Sequence, residues 1–147
     1  MIVLQTFSKA WASASVRLGM AFASEEIIVI LNKIKYPYNI NKLTQDYALK
    51  ILKNPDVIKN WAKETVSLRS DVVYELKGFK FVEKIYPTDA NFVLVKVTDA
   101  NDLYTYLTMK GIIVRNRNRV QLCGNCLRIT IGTKEENEEL FKALKKY

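Results

Sequence analysis

The chain contains no histidine among its 147 residues. That absence removes Ser–His and Cys–His nucleophilic arrangements, histidine general bases and every histidine-containing metal site. Any chemistry has to rest on lysine, tyrosine, cysteine or carboxylates. Cysteine is scarce too: Cys123 and Cys126, in the run CGNC, are the two present. One pair is too few for a disulfide framework and points to a cytoplasmic chain. A Cys-x-x-Cys zinc or redox site wants a second pair or a helix N-terminus. This one leads into a strand, so it reads as a plain loop, and no metal is expected. No apolar run reaches the ~18 residues of a membrane span. No basic flank leads into a long apolar stretch, so no secretory signal is read. Internal repeats, linkers and low-complexity stretches are missing as well.

What is present is an ordinary globular balance, 49% apolar and 26% charged, in a length that suits one domain with a real core. The net charge of +8 raises the question of nucleic acid. The basic residues are spread along the chain, with small clusters at Arg115, Arg117 and Arg119 and at Lys142, Lys145 and Lys146. The second cluster sits where lysines favour a helix C-terminus. A solvated basic surface is the better reading, and neither a nucleic-acid nor a membrane partner is expected.

Residues 1–5 read as a strand, 6–15 as a loop and 16–23 as a second buried strand. SEEIIVILNKIK is a helix capped by Ser24 with Glu25 and Glu26 in its first turn. Pro37 forces an extended connector. A second helix runs over 40–53. Asn54-Pro55 stops it and starts a third, which continues to Leu76 with Ile58, Trp61, Ala62, Val66 and Val73 at helical spacing. Strands follow at FKFVEKIYP and NFVLVKV, then a helix capped by Asp99 or Asn101 and closed by Gly111. IIVRNR and CLRITIGT are strands, and KEENEELFKALKKY is the last helix. The pattern predicts an α/β (α+β) small domain, a mostly antiparallel sheet covered by helices. The apolar strand–loop–strand at 1–23 fits this plan poorly, because the next 50 residues are helical and offer it no neighbouring strand. Such a segment wants cover on both faces, so it reads as the cut edge of a larger sheet.

One lysine stands out. In TFSKAW, Lys9 follows an apolar strand, between a hydroxyl and a tryptophan. A lysine acts as a nucleophile when desolvation or a neighbouring cation makes its proton easy to lose. Thr6, Ser8 and Arg17 could together hold a phosphate, which guanidinium grips as a two-pronged fork. On spacing alone, a plain loop lysine with Arg17 paired to a carboxylate remains open.

TFSKAWASASVRLGMAFAS resembles the lysine segment of the fold-type-I pyridoxal-phosphate aminotransferases (class I/II), a Ser/Thr-x-Ser-Lys-Ala run followed by Arg-Leu-Gly-Tyr. LNKIKYPYNIN resembles the family's Pro-Tyr-Asn connector. ANFVLVKV, GIIVRNRN and CLRITIGTKEENEELFKAL resemble, in order, the end of its histidinol-phosphate branch. Five ordered blocks cover essentially the whole chain. The resemblance implies pyridoxal 5'-phosphate as cofactor. It makes Lys9 the residue joined to the cofactor aldehyde and the base that moves the substrate's proton. Thr6, Ser8 and Arg17 become cofactor-phosphate ligands. Arg128 becomes the clamp on the substrate's anionic group, in place of a strand arginine paired with Glu135 or Glu136. Arg115 becomes the ligand of a substrate phosphate. The implied substrates are histidinol phosphate and imidazole acetol phosphate on one side, glutamate and 2-oxoglutarate on the other, in a homodimer. The chain departs from the pattern at Ala12 and Ser15, where glycines are usual, and at Met20, where tyrosine is usual.

The family's partner for the pyridinium nitrogen and its ring-stacking aromatic lie before the lysine, and only eight residues precede Lys9. The expectation is therefore a C-terminal portion of such an enzyme, inactive alone. Residues 1–35 would be a remnant of the large domain and 36–147 the small domain. The unpaired edge strand would invite self-association. Rival expectations are an aromatic aminotransferase or a threonine-phosphate decarboxylase on the same fold, and a non-catalytic basic domain that binds nucleic acid through RNRNR. Arg115 sets the phosphate users apart from the aromatic group but not from each other.

Overall fold

A computed structural model describes residues 1–147 and divides the chain into two compact units, Met1–Ala62 and Lys63–Tyr147. In the first, strands β1 (Val3–Thr6) and β2 (Gly19–Phe22) pair antiparallel, with Val3 opposite Phe22 and Thr6 opposite Gly19. They pair with no other strand, and all four residues of β1 are exposed. Strand β2 is shorter than the periodicity predicts. Ala14–Val16 forms a 3-10 turn, and Arg17 closes it in the left-handed region at φ 51°. Helices α1 (Glu25–Ile34) and α2 (Lys42–Leu52) follow. Ser24 adopts the extended conformation of a cap, but its side chain makes no capping bond. Asn41 does cap α2, its side chain accepting from the Thr44 amide at 2.9 Å, so this helix starts two residues later than expected. Helix α3 (Pro55–Leu76) opens on proline as predicted, and the division between the units falls within it.

The second unit carries the antiparallel sheet that the sequence predicts. Strands β3 (Val82–Tyr86), β4 (Phe92–Val97), β5 (Arg115–Asn116) and β6 (Cys126–Thr130) lie in the order β3-β4-β6-β5. Side chains alternate across a strand. Val93, Val95 and Val97 of β4 and Leu127 and Ile129 of β6 point to one side and are buried. On that side they share a core with Val72 and Leu76 of α3, with Ala100, Leu103 and Leu107 of α4 (Ala100–Met109), and with Leu140 and Leu144 of α5 (Lys134–Leu144). The residues between them, Phe92, Leu94, Lys96 and Arg128, face the other way and are half-exposed. The strand predicted over IIVRNR shrinks to two residues, Arg115–Asn116; Val114 before them is buried in the core, and the chain leaves the sheet after Asn116.

Helix ends in this unit are tightly specified. The Asp99 carboxylate accepts from the amides of Asn101 and Asp102 at 2.9 and 3.0 Å, which decides the cap of α4. Gly111, at φ 76°, takes the left-handed position beyond its end, which glycine adopts at no steric cost. Thr133 and Glu136 form a reciprocal capping box on α5. A Cβ added at Gly132 would sit 2.6 Å from a Glu136 carboxylate oxygen and 2.8 Å from its Cβ. Replacing Thr133 by alanine is expected to lower stability by about 1 kcal/mol, and Gly132→Ala by at least as much. Urea unfolding followed by circular dichroism reads this, and an unchanged midpoint for Thr133→Ala would remove the box from the stability of α5.

The C-terminus is tied back by one residue. Tyr147 packs edge-on against Phe81 and tilted against Tyr106, and its hydroxyl donates to the Asp102 carboxylate at 2.6 Å. That hydrogen bond, with some burial, pushes the phenol from 10.0 up to about 12. The fold favours the neutral form, so its stabilising contribution is complete below pH 10 and is lost between about pH 10 and 12. Asp102→Asn should return one tyrosine titration toward 10, visible as phenolate absorbance in a pH titration. An identical titration in the variant would sink this assignment.

Candidate functional site

Two groups of chemistry-bearing residues stand out, one in each unit. In the first, the turn after β1 is pinned from inside. Phe7 is buried, its amide donates to the Leu18 carbonyl at 3.1 Å, and its ring meets Trp11 at 5.1 Å. Ser13 is buried too. Its amide donates to the Phe7 carbonyl, its hydroxyl donates to the Trp11 carbonyl at 2.6 Å, and it lies 3.2 Å from the Tyr47 hydroxyl. Lys9 stands on the outside of this knot and is exposed. Its carbonyl accepts from the Ala12 amide at 2.8 Å, and Ala12 pays for the tight turn with a φ of 48°. For a residue with a Cβ that conformation costs roughly 1–2 kcal/mol.

The hydroxyls gather beside Lys9. Thr6 Oγ1 accepts from the Ser8 amide at 3.1 Å and lies 2.9 Å from Ser8 Oγ and 3.2 Å from the Leu18 carbonyl. Because Thr6 is registered opposite Gly19, Arg17 leaves the chain at the same end of the hairpin. Its guanidinium donates one bond to the Ala14 carbonyl at 3.0 Å and meets no carboxylate. The reading in which Arg17 is held by an acidic partner therefore fails. Two hydroxyls, one guanidinium and one ammonium at a single turn form a donor set that suits a phosphate monoester with a neighbouring carbonyl. Pyridoxal phosphate carries both of these groups, and the residue types at this turn are of the kind that could hold them.

In the second unit, β5 and β6 set Arg115 directly opposite Arg128. Both project from the face of the sheet that the helices leave open. Like charges placed opposite one another are destabilising, yet neither meets a carboxylate; Glu135 and Glu136 are engaged elsewhere, Glu136 in the capping box. The sequence alternative of an Arg128–Glu135 or Arg128–Glu136 pair does not form. The Arg128 guanidinium instead lies over the Phe92 ring at 5.0 Å, and its Nε is buried with no hydrogen-bond partner. A buried donor left unmatched is costly and calls for a reason.

The CGNC run behaves as the loop that was read. The Cys126 amide closes a turn on the Cys123 carbonyl at 3.0 Å, Cys126 is buried, and burial raises its thiol above the ordinary value. That is the opposite of an activated thiolate. Tyr106 is a packing residue, its hydroxyl donating to the Ala143 carbonyl at 3.0 Å. Sequence reasoning missed the brace at Ser13, since a serine among small residues gives no sign that it will be buried. No helix of the chain is long and apolar enough to cross a membrane.

The family model described as "Aminotransferase class I and II" matches residues 1–144. The chain belongs to that family. A curated relative, histidinol-phosphate aminotransferase from Bacteroides fragilis, is 53% identical over all 147 residues, which are 43% of the relative's own length. The chain thus spans less than half the length of the curated relatives it matches. Its fold matches that of the histidinol-phosphate aminotransferase from Clostridium acetobutylicum with a TM-score of 0.89 at 23% identity, covering 99% of this chain and 45% of the other. It also matches a decarboxylase from Sulfurospirillum multivorans with a TM-score of 0.82 at 29% identity, covering 99% and 43%.

The unmatched Arg128 makes a prediction that a purely structural arginine would not. Arg128→Met should leave the fold intact and raise its stability by about 0.5–1 kcal/mol, because it removes an unsatisfied buried donor and a like-charge pair and loses only the stacking on Phe92. Thermal unfolding reads it. A loss of more than 1 kcal/mol would mean that the guanidinium holds the sheet together rather than waiting for a ligand.

Proposed function

We propose that this chain supplies the lysine segment and the small domain of a pyridoxal-phosphate-dependent aminotransferase that acts on histidinol phosphate with 2-oxoglutarate as the amino acceptor, working as a homodimer. The observation that carries the reading is the donor set at one turn, Thr6, Ser8, Lys9 and Arg17, together with the anion-ready pair Arg115 and Arg128. The relative that is 53% identical bears the histidinol-phosphate name, and this favours transamination over the decarboxylase reading, whose support is 29% identical. The domain boundary near residue 35 is part of the same proposal.

In this reading Thr6 and Ser8 donate hydroxyl hydrogen bonds to the cofactor phosphate, and Arg17 neutralises it. The bound cofactor supplies an aldehyde carbon and an electron sink. With the cofactor bound, Lys9 would be the amine that holds its aldehyde. Freed by the substrate amine, Lys9 Nζ would take the proton from the carbon that bears that amine and deliver it onward within the same half-reaction, so that it ends as a free amine again. The pinned turn, with Phe7 and Ser13 inside and Lys9 outside, holds the amine without restricting its reach. Arg115 and Arg128 orient the substrate through its phosphate in one half-reaction and through a carboxylate of the second substrate in the other.

The test is an absorbance titration of the purified chain with pyridoxal phosphate, followed by borohydride reduction and peptide mapping. A saturable Schiff-base band whose reduced label maps to Lys9, and which is lost in Lys9→Arg and weakened in Arg17→Gln, is the expected result. Label scattered over surface lysines without a saturable band would overturn the assignment of a cofactor-phosphate site to Thr6, Ser8 and Arg17.

A further inference from the structure

We propose that Arg117 is a third guanidinium of the substrate-anion site and the one that distinguishes a phosphate ester from a carboxylate. This rests on the reading of Arg115 and Arg128 given above.

The register places it. Arg115 is opposite Arg128, Asn116 is opposite Leu127, and the Arg117 amide donates to the Cys126 carbonyl at 2.9 Å. Leu127 points into the core and Asn116 follows it inward, its side-chain amide donating to Asn101 Oδ1 at 2.9 Å. Arg115 and Arg128 share the open face, and Arg117, one residue past β5, keeps the ladder bond to Cys126, so the alternation carried one residue further sends it to that face as well. The other cations of that face are already engaged: Lys96 is bonded to Glu83 at 3.0 Å, and Lys84 lies 4.8 Å over the Tyr86 ring. Arg117, like Arg115 and Arg128, meets no carboxylate, and it is half-buried.

Its backbone is fixed from both sides. The Val120 amide donates to the Arg117 carbonyl at 2.9 Å. Asn116 Oδ1 accepts from the Asn118 amide at 2.9 Å, and Asn118 Oδ1 accepts from the Asn125 amide at 2.8 Å. A loop braced this closely, carrying an arginine without a counter-charge, is organised before any ligand arrives.

The chemistry of the two anions then separates the roles. A carboxylate has two oxygens and one charge, which a single guanidinium fork can saturate. A phosphate monoester has three terminal oxygens and a charge of about −1.5 to −2 near pH 7. A third guanidinium finds an acceptor when the group is a phosphate and is left over when it is a carboxylate.

The experiment titrates the chain with phenyl phosphate and with benzoate at constant ionic strength and pH 7.5. It reads arginine Nε–H shifts by NMR in the parent chain and in R115Q, R117Q and R128Q. R117Q is expected to weaken phenyl phosphate about tenfold, the scale of one charge-assisted contact, and benzoate less than twofold. At pH 5, where the phosphate is a monoanion, the gap should close. R117K, which keeps the charge and the backbone bonds but not the fork, provides the reading if R117Q does not fold, and should lose at least threefold for phenyl phosphate alone. If R115Q and R128Q weaken phenyl phosphate while R117Q does not, or R117Q weakens both anions equally, this inference fails and the two-arginine site stands. If R115Q and R128Q have no effect, or the parent chain shows no saturable shift, the underlying site reading fails and takes this one with it.

Discussion

The strict alternation of β4 and β6 is the constraint from which the rest of the second unit follows. Val93, Val95, Val97, Leu127 and Ile129 have to enter the core together, because a strand offers every second residue to each face and a slip of one would expel all of them. Burying each is worth about 1.5–3 kcal/mol. Against that sum, the open face can carry like charges opposite one another at about 0.2–1 kcal/mol and an unmatched guanidinium nitrogen at about 1–3 kcal/mol. The core wins, and the arginines are held where they could not hold themselves. The site is therefore a consequence of the core register.

This explains why the arginines are left without partners. Carboxylates are not lacking on this unit: Glu83 engages Lys96, Glu136 closes the box on α5, and Asp99 and Asp102 serve α4 and Tyr147. Each is spent on local structure away from the Arg115–Arg128 pair. A surface ion pair adds at most about 1 kcal/mol, so a neighbouring acid would do little for stability and would occupy the position that a ligand needs. The aromatic ring of Phe92 supports the guanidinium of Arg128 without neutralising it.

Much of this was legible in the sequence where a period or a cap carries the information. The antiparallel sheet, the proline start of α3 and the loop that carries Lys9 were read from residue order, and the cap of α4 was narrowed to Asp99 or Asn101. The buried Ser13, the left-handed Arg17 and the two-residue β5 were not. Each depends on what the chain meets in space: Ser13 on the Trp11 carbonyl and Tyr47, Arg17 on the Ala14 carbonyl, β5 on the two residues of β6 that it pairs with. The sequence also made the basic residues look dispersed. The fold collects Lys84, Lys96, Arg115 and Arg128 on one sheet face, with Arg117 just beyond the end of β5, because residues from four strands meet across a ladder. Arg-x-Arg within a predicted strand was the available signal, since a period of 2 already puts both side chains on one side.

The two units solve the same problem in different ways. In the second, a large shared core fixes the functional side chains through strand register. In the first, β1 is wholly exposed and no such core stands behind the lysine. Lys9 is positioned instead by a knot of short-range bonds, with Phe7 and Ser13 as its only deeply buried residues and with Ala12 and Arg17 both in the left-handed region. A turn of this kind is specified by backbone geometry over about a dozen residues rather than by distant packing. It can therefore keep its hydroxyls, guanidinium and amine together while the hairpin that carries it stays open for further cover. The exposed apolar residues Val3, Leu4 and Phe22 are what such cover would bury, and burying them would strengthen the electrostatics of the donor set by excluding water from beside it.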